Sequence, residues 1–164
     1  MATTDEDDLP AGALDTDHVN IRTLTEADLD AVVRIDAAAT GRSRREFFRA
    51  RIAATLRDSG IHLSLAAEVD KEVAGYVAVV LHYGEFGVAE PVAVLDAIGI
   101  HPANQKRKVA KALMRQLDAN LRALRVTRIQ TEVDWNQFDL LGFFGRSGFQ
   151  PVPRLCLEKK IEVP

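Results

Sequence analysis

Apolar positions recur along this chain with two different periods, and the switches between them divide it into elements. "VNIRTL" alternates as a short strand does, and Thr25-Glu26-Ala27-Asp28 then sets a hydroxyl acceptor before the unpaired N–H groups of a helix whose apolar face is Leu29, Val32 and Ile35. Ser43-Arg44-Arg45-Glu46 has capping-box spacing and starts a second helix, in which Phe48, Ile52 and Leu56 recur every fourth residue up to a stop at Gly60. "IHLSLAAEV" and "EVAGYVAVVLHY" read as strands joined by a tight turn at Asp70-Lys71. "GEFGVAEP" breaks the pattern before "VAVLDAIGI", which is almost continuously apolar, as a strand covered on both faces is, with Asp96 the exception. From Arg107 the period lengthens: Val109, Leu113, Leu117, Leu121 and Leu124 form a helical stripe, and Lys108, Lys111, Arg115 and Arg122 lie off it. A strand "TRIQTEV", a loop "DWN", a helix "QFDLLGFFGRS" capped by Asn136 and stopped by Gly148, and a last strand "VPRLCLEKKI" complete the chain. The order β-α-α-β-β-β-α-β-α-β predicts a mixed α/β or α+β domain built on one central sheet.

Composition narrows the function classes. The chain has 164 residues, 47% of them hydrophobic and 27% charged, which suits one domain over residues 19–164. The acidic segment 1–18 has few large apolar residues and reads as a disordered leader. A net charge of -3 argues against an extended nucleic-acid surface, and no aromatic residues interleave with the small basic cluster at 106–111. No apolar run approaches the ~18 residues that span a bilayer, and the leader lacks a signal-peptide pattern, so no membrane partner and a cytoplasmic location are expected. Cys156 is the one cysteine; it rules out an intrachain disulfide and is expected to be a buried residue of the last strand. His18, His62, His82 and His101 have no spacing that pairs two on one face, so no metal site is expected.

The stretch with the most chemistry is "AIGIHPANQKRKVAKALM", residues 97–114. A strand that runs straight into a helix leaves the first helical N–H groups pointing at the turn, backed by the positive end of the helix dipole, and such a turn attracts phosphate. Basic residues at a helix start oppose the dipole, so Lys106, Arg107, Lys108 and Lys111 have little structural reason to be there unless an anion binds.

Those residues resemble the acyl-CoA-binding motif of the Gcn5-related N-acetyltransferases (GNAT). "NIRTLTEADLDAVVRID" is similar to that family's first strand and helix, "EVAGYVAVV" to its central hairpin, and "LLGFFGRSGF" to its late helix. The resemblance implies a mostly antiparallel mixed sheet with helices on both faces, its fourth and fifth strands splayed to admit acyl-CoA. It implies acetyl-CoA as acyl donor and a primary amine of a small molecule, peptide or protein as acceptor. The backbone of Ile98 and Ile100 would then pair with the pantetheine, with Gly99 marking a bulge, and residues Gln105, Lys106, Arg107, Lys108, Val109, Ala110 and Lys111 would hold the pyrophosphate. Asn136 and Phe143 complete the expected cofactor contacts.

For the general base, the family often uses a carboxylate on the fourth strand; Asp96 is the acid there, and plain alternation sets it on one face with Val94 and Ile98. It stands two residues from the position where many relatives carry glutamate, here Val94. Glu132 and Asp134 are the alternatives. The tyrosine that usually protonates the thiolate aligns with Phe144, which leaves water or Tyr83 for that role. Lys108 occupies the place of the motif's first glycine. Its side chain either crowds the pyrophosphate or offers it a charge, and glycine there would cost helix stability if the position is helical. Trp135 either walls an acceptor pocket or anchors its loop half-buried. A CoA-binding or protein-interaction module without turnover is the reading from another class, and a homodimer formed through "RLCLEKKI" is the assembly considered.

Overall fold

The computed structural model describes residues 18–57, 63–84, 87, 89–105 and 108–163. The expected leader up to residue 17, the stop at Gly60, and Lys106 and Arg107 lie outside the described residues. The chain forms two compact units, the first ending at Glu132 and the second beginning at Val133.

In the first unit, strand β1 (Asn20–Thr23) leads into a short 3-10 turn, Glu26–Asp28, and then helix α1 (Leu29–Thr40). Thr25, expected only to offer a hydroxyl acceptor, makes a capping box with Asp28, which accepts from the Thr25 N–H at 2.8 Å and from the Thr25 hydroxyl at 2.9 Å. Arg22 grips the same carboxylate with two nitrogens at 2.7 Å. Burial alone pushes the Asp28 carboxyl up, but the hydrogen bonds from Arg22 and Thr25 outweigh it and hold the group below its ordinary value. Helix α2 (Arg45–Arg57) follows. It opens with a bond from the Phe48 N–H to the Arg44 carbonyl, while Glu46, expected to close a capping box with Ser43, accepts from Arg49 instead.

Strands β2 (Leu65–Val69) and β3 (Glu72–His82) pair across the expected turn, where Asp70 and Lys71 both have positive φ, 53° and 66°. β4 (Val92–Ile100), helix α3 (Val109–Ala123) and β5 (Ile129–Gln130) follow. The sheet order is β1-β2-β3-β4-β5, antiparallel except for the parallel pair β4/β5. "TRIQTEV" was expected as a seven-residue strand; only Ile129 and Gln130 enter the ladder.

Helices cover both faces of this sheet. A Cβ at Gly75 would meet Val109 of α3, whereas one at Gly99 would meet Ile35 of α1 and the Tyr76 ring. Because Gly75 and Tyr76 are neighbours in one strand, these contacts lie on opposite faces. The α1/α2 face packs Val32, Ile35, Phe48 and Ile52 against Ala66, Tyr76, Ala78 and Ala97. On the other face α3 buries Val109, Leu113, Leu117 and Leu121, the expected stripe apart from Leu124 at its end, which is exposed.

The second unit contains helix α4 (Phe138–Arg146). Its N-cap is Gln137, not Asn136, and Gly148, at φ 89°, ends it as expected. Phe144 is buried between Phe143 and Phe149, with ring centroids at 5.3 and 4.9 Å.

The last strand does not form. Residues 150–163 pair with no strand among the described residues, and Leu155, Leu157, Ile161, Val163 and Cys156 are exposed. Alternation marks a segment able to form a strand, but the strand itself needs a ladder partner, and Pro151 and Pro153 have no N–H to give one. Among the described residues no helix is long and apolar enough to cross a membrane, and no cluster of His, Cys, Asp and Glu can hold a metal ion.

Candidate active site

β4 and β5 touch only at one end. Ala93 pairs with Ile129 and Val94 with Gln130, and the Thr131 hydroxyl then donates to the Leu95 carbonyl at 2.9 Å. Beyond that bond β4 continues for five more residues with no β5 partner among the described residues. The His101 N–H donates to Ala74 of β3, so by strand alternation the backbone groups of Ile98 and Ile100 face away from β3, toward the edge that β5 leaves unpaired. Glu132, exposed, follows Thr131 just past the end of the ladder.

The strand irregularity is at Asp96, not at Gly99. Ala78 pairs with Ala97 but Val79 pairs with Leu95, which leaves Asp96 as the extra residue of a β-bulge. Gly99 sits in regular register opposite Tyr76, and its missing side chain makes room for that ring: a Cβ there would lie 2.6 Å from Tyr76 Cε1. The bulge also breaks the alternation expected to align Asp96 with Ile98. Ala97 and Gly99 lie on the α1/α2 face, Ile98 lies on the other, and Asp96 is turned back toward α2.

There Asp96 Oδ2 meets Arg51 Nη2 of α2 at 2.8 Å. That oxygen is closed to solvent and the approach gives no well-oriented hydrogen bond, so the contact is an ion pair held by charge and proximity. The Arg51 guanidinium lies 5.4 Å from the Phe47 ring centroid, and Arg44 lies 5.3 Å from the same ring.

At the other end of β4, Pro102–Asn104 make a 3-10 turn capped by His101 Nδ1, which accepts from the Ala103 N–H. Gln105 is extended and exposed. Lys108 is the N-cap of α3 and adopts the left-handed conformation, φ 59° and ψ 11°. The first helical bond runs from the Ala112 N–H to the Lys108 carbonyl, so the N–H groups of Val109, Ala110 and Lys111 precede it. Val109 is buried against the sheet; Lys108 and Lys111 are exposed. Position 108 is therefore a turn position that favours glycine, and the expected helix-interior cost of glycine does not apply there.

Tyr83 follows the end of β3 and is 63% exposed. Asn136, Phe143 and Asp134 belong to the second unit, where the Gln137 N–H donates to the Asp134 carbonyl. Trp135, expected either to wall an acceptor pocket or to anchor its loop half-buried, is 84% exposed, which does not fit the half-buried anchor. A surface depression of about 330 Å³ lies over Glu26, Leu29, Arg49, Ile52 and Ala53; none of the expected site residues lines it.

Two groups escaped the sequence reading. One is the Arg51–Phe47 pair; the other is a buried network in which Asp36, 3% exposed, accepts from Arg44 Nε at 2.8 Å, Arg44 Nη2 at 2.5 Å and the Tyr76 hydroxyl at 3.1 Å. Burial, then the Asp36 charge, push the Tyr76 phenol well above its ordinary value. Arg44 and Arg51 are seven residues apart, two helical turns, so a shared stripe was legible; their acidic partners were not.

The sequence profile of the acetyltransferase (GNAT) family matches residues 29–149. A comparison with curated proteins finds no match. Among solved structures, a transcriptional regulator from Bacillus halodurans superposes with TM-score 0.74 at 21% identity, covering 88% of this chain and 100% of that one. The aminoglycoside acetyltransferase AAC(6')-Iy, in complex with a CoA bisubstrate analogue, gives TM-score 0.72 at 17% identity, covering 88% and 99%. A ribosomal-protein-alanine N-acetyltransferase from Brucella melitensis gives 0.67 at 16%, again covering 88% and 99%. At these identities the structures speak for the fold, and the profile, which spans most of the chain and takes in both the β4–α3 turn and the late helix, speaks for the family. The chain thus belongs to the acetyltransferase (GNAT) family.

Proposed function

We propose that this chain is an acetyl-CoA-dependent N-acetyltransferase acting on a primary amine. The observation that carries the reading is the stretch of β4 that β5 leaves unpaired, with the backbone groups of Ile98 and Ile100 facing away from β3, and the N–H groups of Val109, Ala110 and Lys111 that precede the first helical bond of α3. An extended amide chain adds to such an edge as a strand does, and a pyrophosphate suits a helix start. The two requirements occur in the order in which CoA presents them.

In this reading Asp96 takes the proton that the acceptor ammonium must lose. The freed amine attacks the thioester carbonyl, the C–S bond breaks, and the thiolate takes the second nitrogen proton, directly or through water. A bulge that turns one carboxylate out of a covered strand supports that role. Glu132, just past the end of the β4/β5 ladder, is the alternative base, and Tyr83 is a candidate donor to the thiolate. The second reading, CoA binding with little turnover, draws on Phe144, a buried ring where the family usually has a hydroxyl. Melting with acetyl-CoA, followed by a thiol-release assay with an amine panel, separates them. The melting temperature is expected to rise with ligand concentration. No shift at millimolar acetyl-CoA removes both readings, and a shift without thiol release with any amine favours the second.

Lys108→Gly is expected to raise stability by about 1 kcal/mol, because it removes a left-handed non-glycine residue. It is also expected to tighten CoA binding by letting the backbone approach the pyrophosphate. Urea denaturation and calorimetric titration check the two effects. Weaker binding, with the deficit shrinking at high salt, would instead assign Lys108 a charge role.

A further inference from the structure

The ladder between β4 and β5 ends on a side chain. The Ala93 N–H donates to the Arg128 carbonyl, and Ala93 and Val94 pair with Ile129 and Gln130. In that phase of a parallel pair, the next bond in the series would run from the Glu132 N–H to the Leu95 carbonyl. Among the described residues that bond is absent: the Leu95 carbonyl accepts instead from the Thr131 hydroxyl, at 2.9 Å. Leu95 is buried, so its carbonyl needs a donor, and the hydroxyl supplies one in place of the backbone.

The other side of β4 changes at the same residue. Val79 pairs with Leu95 but Ala78 pairs with Ala97, and the bulge at Asp96 moves the groups that face away from β3 from Ala93 and Leu95 to Ile98 and Ile100. Leu95 is thus the last residue of β4 that β5 reaches among the described residues. A hydroxyl carried on Cβ bridges to a neighbouring carbonyl without drawing its own backbone to ladder spacing, which an N–H donor requires. We propose that Thr131 is the stop of the β4/β5 ladder: its hydroxyl takes the Leu95 carbonyl from Glu132 and so keeps the backbone of Ile98 and Ile100 available to the amide-bearing arm of acyl-CoA. Thr131 is a positioning residue in this scheme and touches no reacting atom. Without the hydroxyl, the buried carbonyl is left to the Glu132 N–H, and the added rung brings the Glu132 backbone alongside the bulge, next to the groups that the cofactor would use.

The inference rests on the acetyltransferase reading, and two measurements keep them apart. Residue-resolved amide hydrogen exchange reads the ladder with no ligand present, and calorimetric titration with acetyl-CoA reads the edge. In the parent, the Glu132 amide is expected to exchange freely while that of Ala93 is slow; a protected Glu132 amide there overturns the proposal without any variant. Thr131→Val keeps the shape and removes the hydroxyl, and it is expected to slow exchange at Glu132 by about tenfold, the worth of one hydrogen bond. The same closing equilibrium lowers the fraction competent to bind, so acetyl-CoA should bind about tenfold more weakly as well. Thr131→Ser keeps the hydroxyl and should restore both to within about twofold of the parent. A threonine that only satisfied a carbonyl would give the other sign, a frayed β5 end and a Glu132 amide that exchanges as fast or faster on loss of the hydroxyl, and that result overturns the proposal. Slower exchange with unchanged acetyl-CoA affinity overturns the link to the cofactor. If the parent binds no acetyl-CoA, the acetyltransferase reading fails together with that link, and the Glu132 amide still decides whether Thr131 stops the ladder.

Discussion

Asp96→Asn is expected to lower kcat by about 10²- to 10⁴-fold while leaving the dissociation constant for acetyl-CoA within about twofold. Asparagine keeps the shape of the side chain but cannot take a proton, so the loss should fall on the chemical step. It also leaves Arg51 facing a neutral amide, which should raise the KM of the acceptor as well. In the proposed reading cofactor binding is insulated, because Ile98 and Ile100 would meet the cofactor through backbone groups whatever occupies position 96. Steady-state kinetics with an acceptor from the amine panel, together with calorimetric titration of acetyl-CoA, measure the two halves of the expectation. Activity within about twofold of the parent from pH 6 to 9, a rough bound on what loss of a general base allows, would make Asp96 structural and move the test to Glu132.

The largest effect on stability is expected at Asp36. Its carboxylate is almost fully buried and accepts from Arg44 twice and from Tyr76 once, so Asp36→Ala removes the acceptor from three donors at the same time. The Tyr76 hydroxyl, fully buried, is left without that bond, while Arg44 keeps some access to water and to the Phe47 and Phe48 rings. That residual access places the loss near the low end for breaking a buried pair, about 3 kcal/mol. Tyr76→Phe removes one bond and leaves the ion pair intact, so about 1 kcal/mol is expected. Urea denaturation of both variants checks the order. Equal losses would mean that the phenol, not the ion pair, dominates the network. The network also bears on the site: Tyr76 fills the space opened by Gly99, and Asp36 and Arg44 tie α1 to the start of α2, the helix that carries Phe47 and Arg51.

Much of this molecule follows from local pattern. The helix start at Thr25, the turn at Asp70-Lys71, the buried stripe of α3 and the helix stop at Gly148 are each set by residues within one or two turns of each other, where side-chain chemistry and backbone geometry meet without help from elsewhere. The order of strand β4 followed by helix α3 was legible for the same reason, and with it the family. What the sequence left open depended on pairing between distant segments. Alternation in "VPRLCLEKKI" and "TRIQTEV" marks chain able to enter a sheet, yet a strand exists only where a partner edge accepts its hydrogen bonds, and only Ile129 and Gln130 find one. The bulge was misplaced at Gly99 because a glycine in a strand signals either a bulge or a close neighbour, and the neighbour, Tyr76, is more than twenty residues away in sequence. One extra residue at position 96 then reversed the face of a carboxylate that strict alternation had aligned with Ile98. The left-handed turn at Lys108 and the pairing of Arg51 with Asp96 are likewise decided by where β4, α3 and α2 come to rest. Periodicity determines which residues can share a face; the packed sheet decides which charges meet.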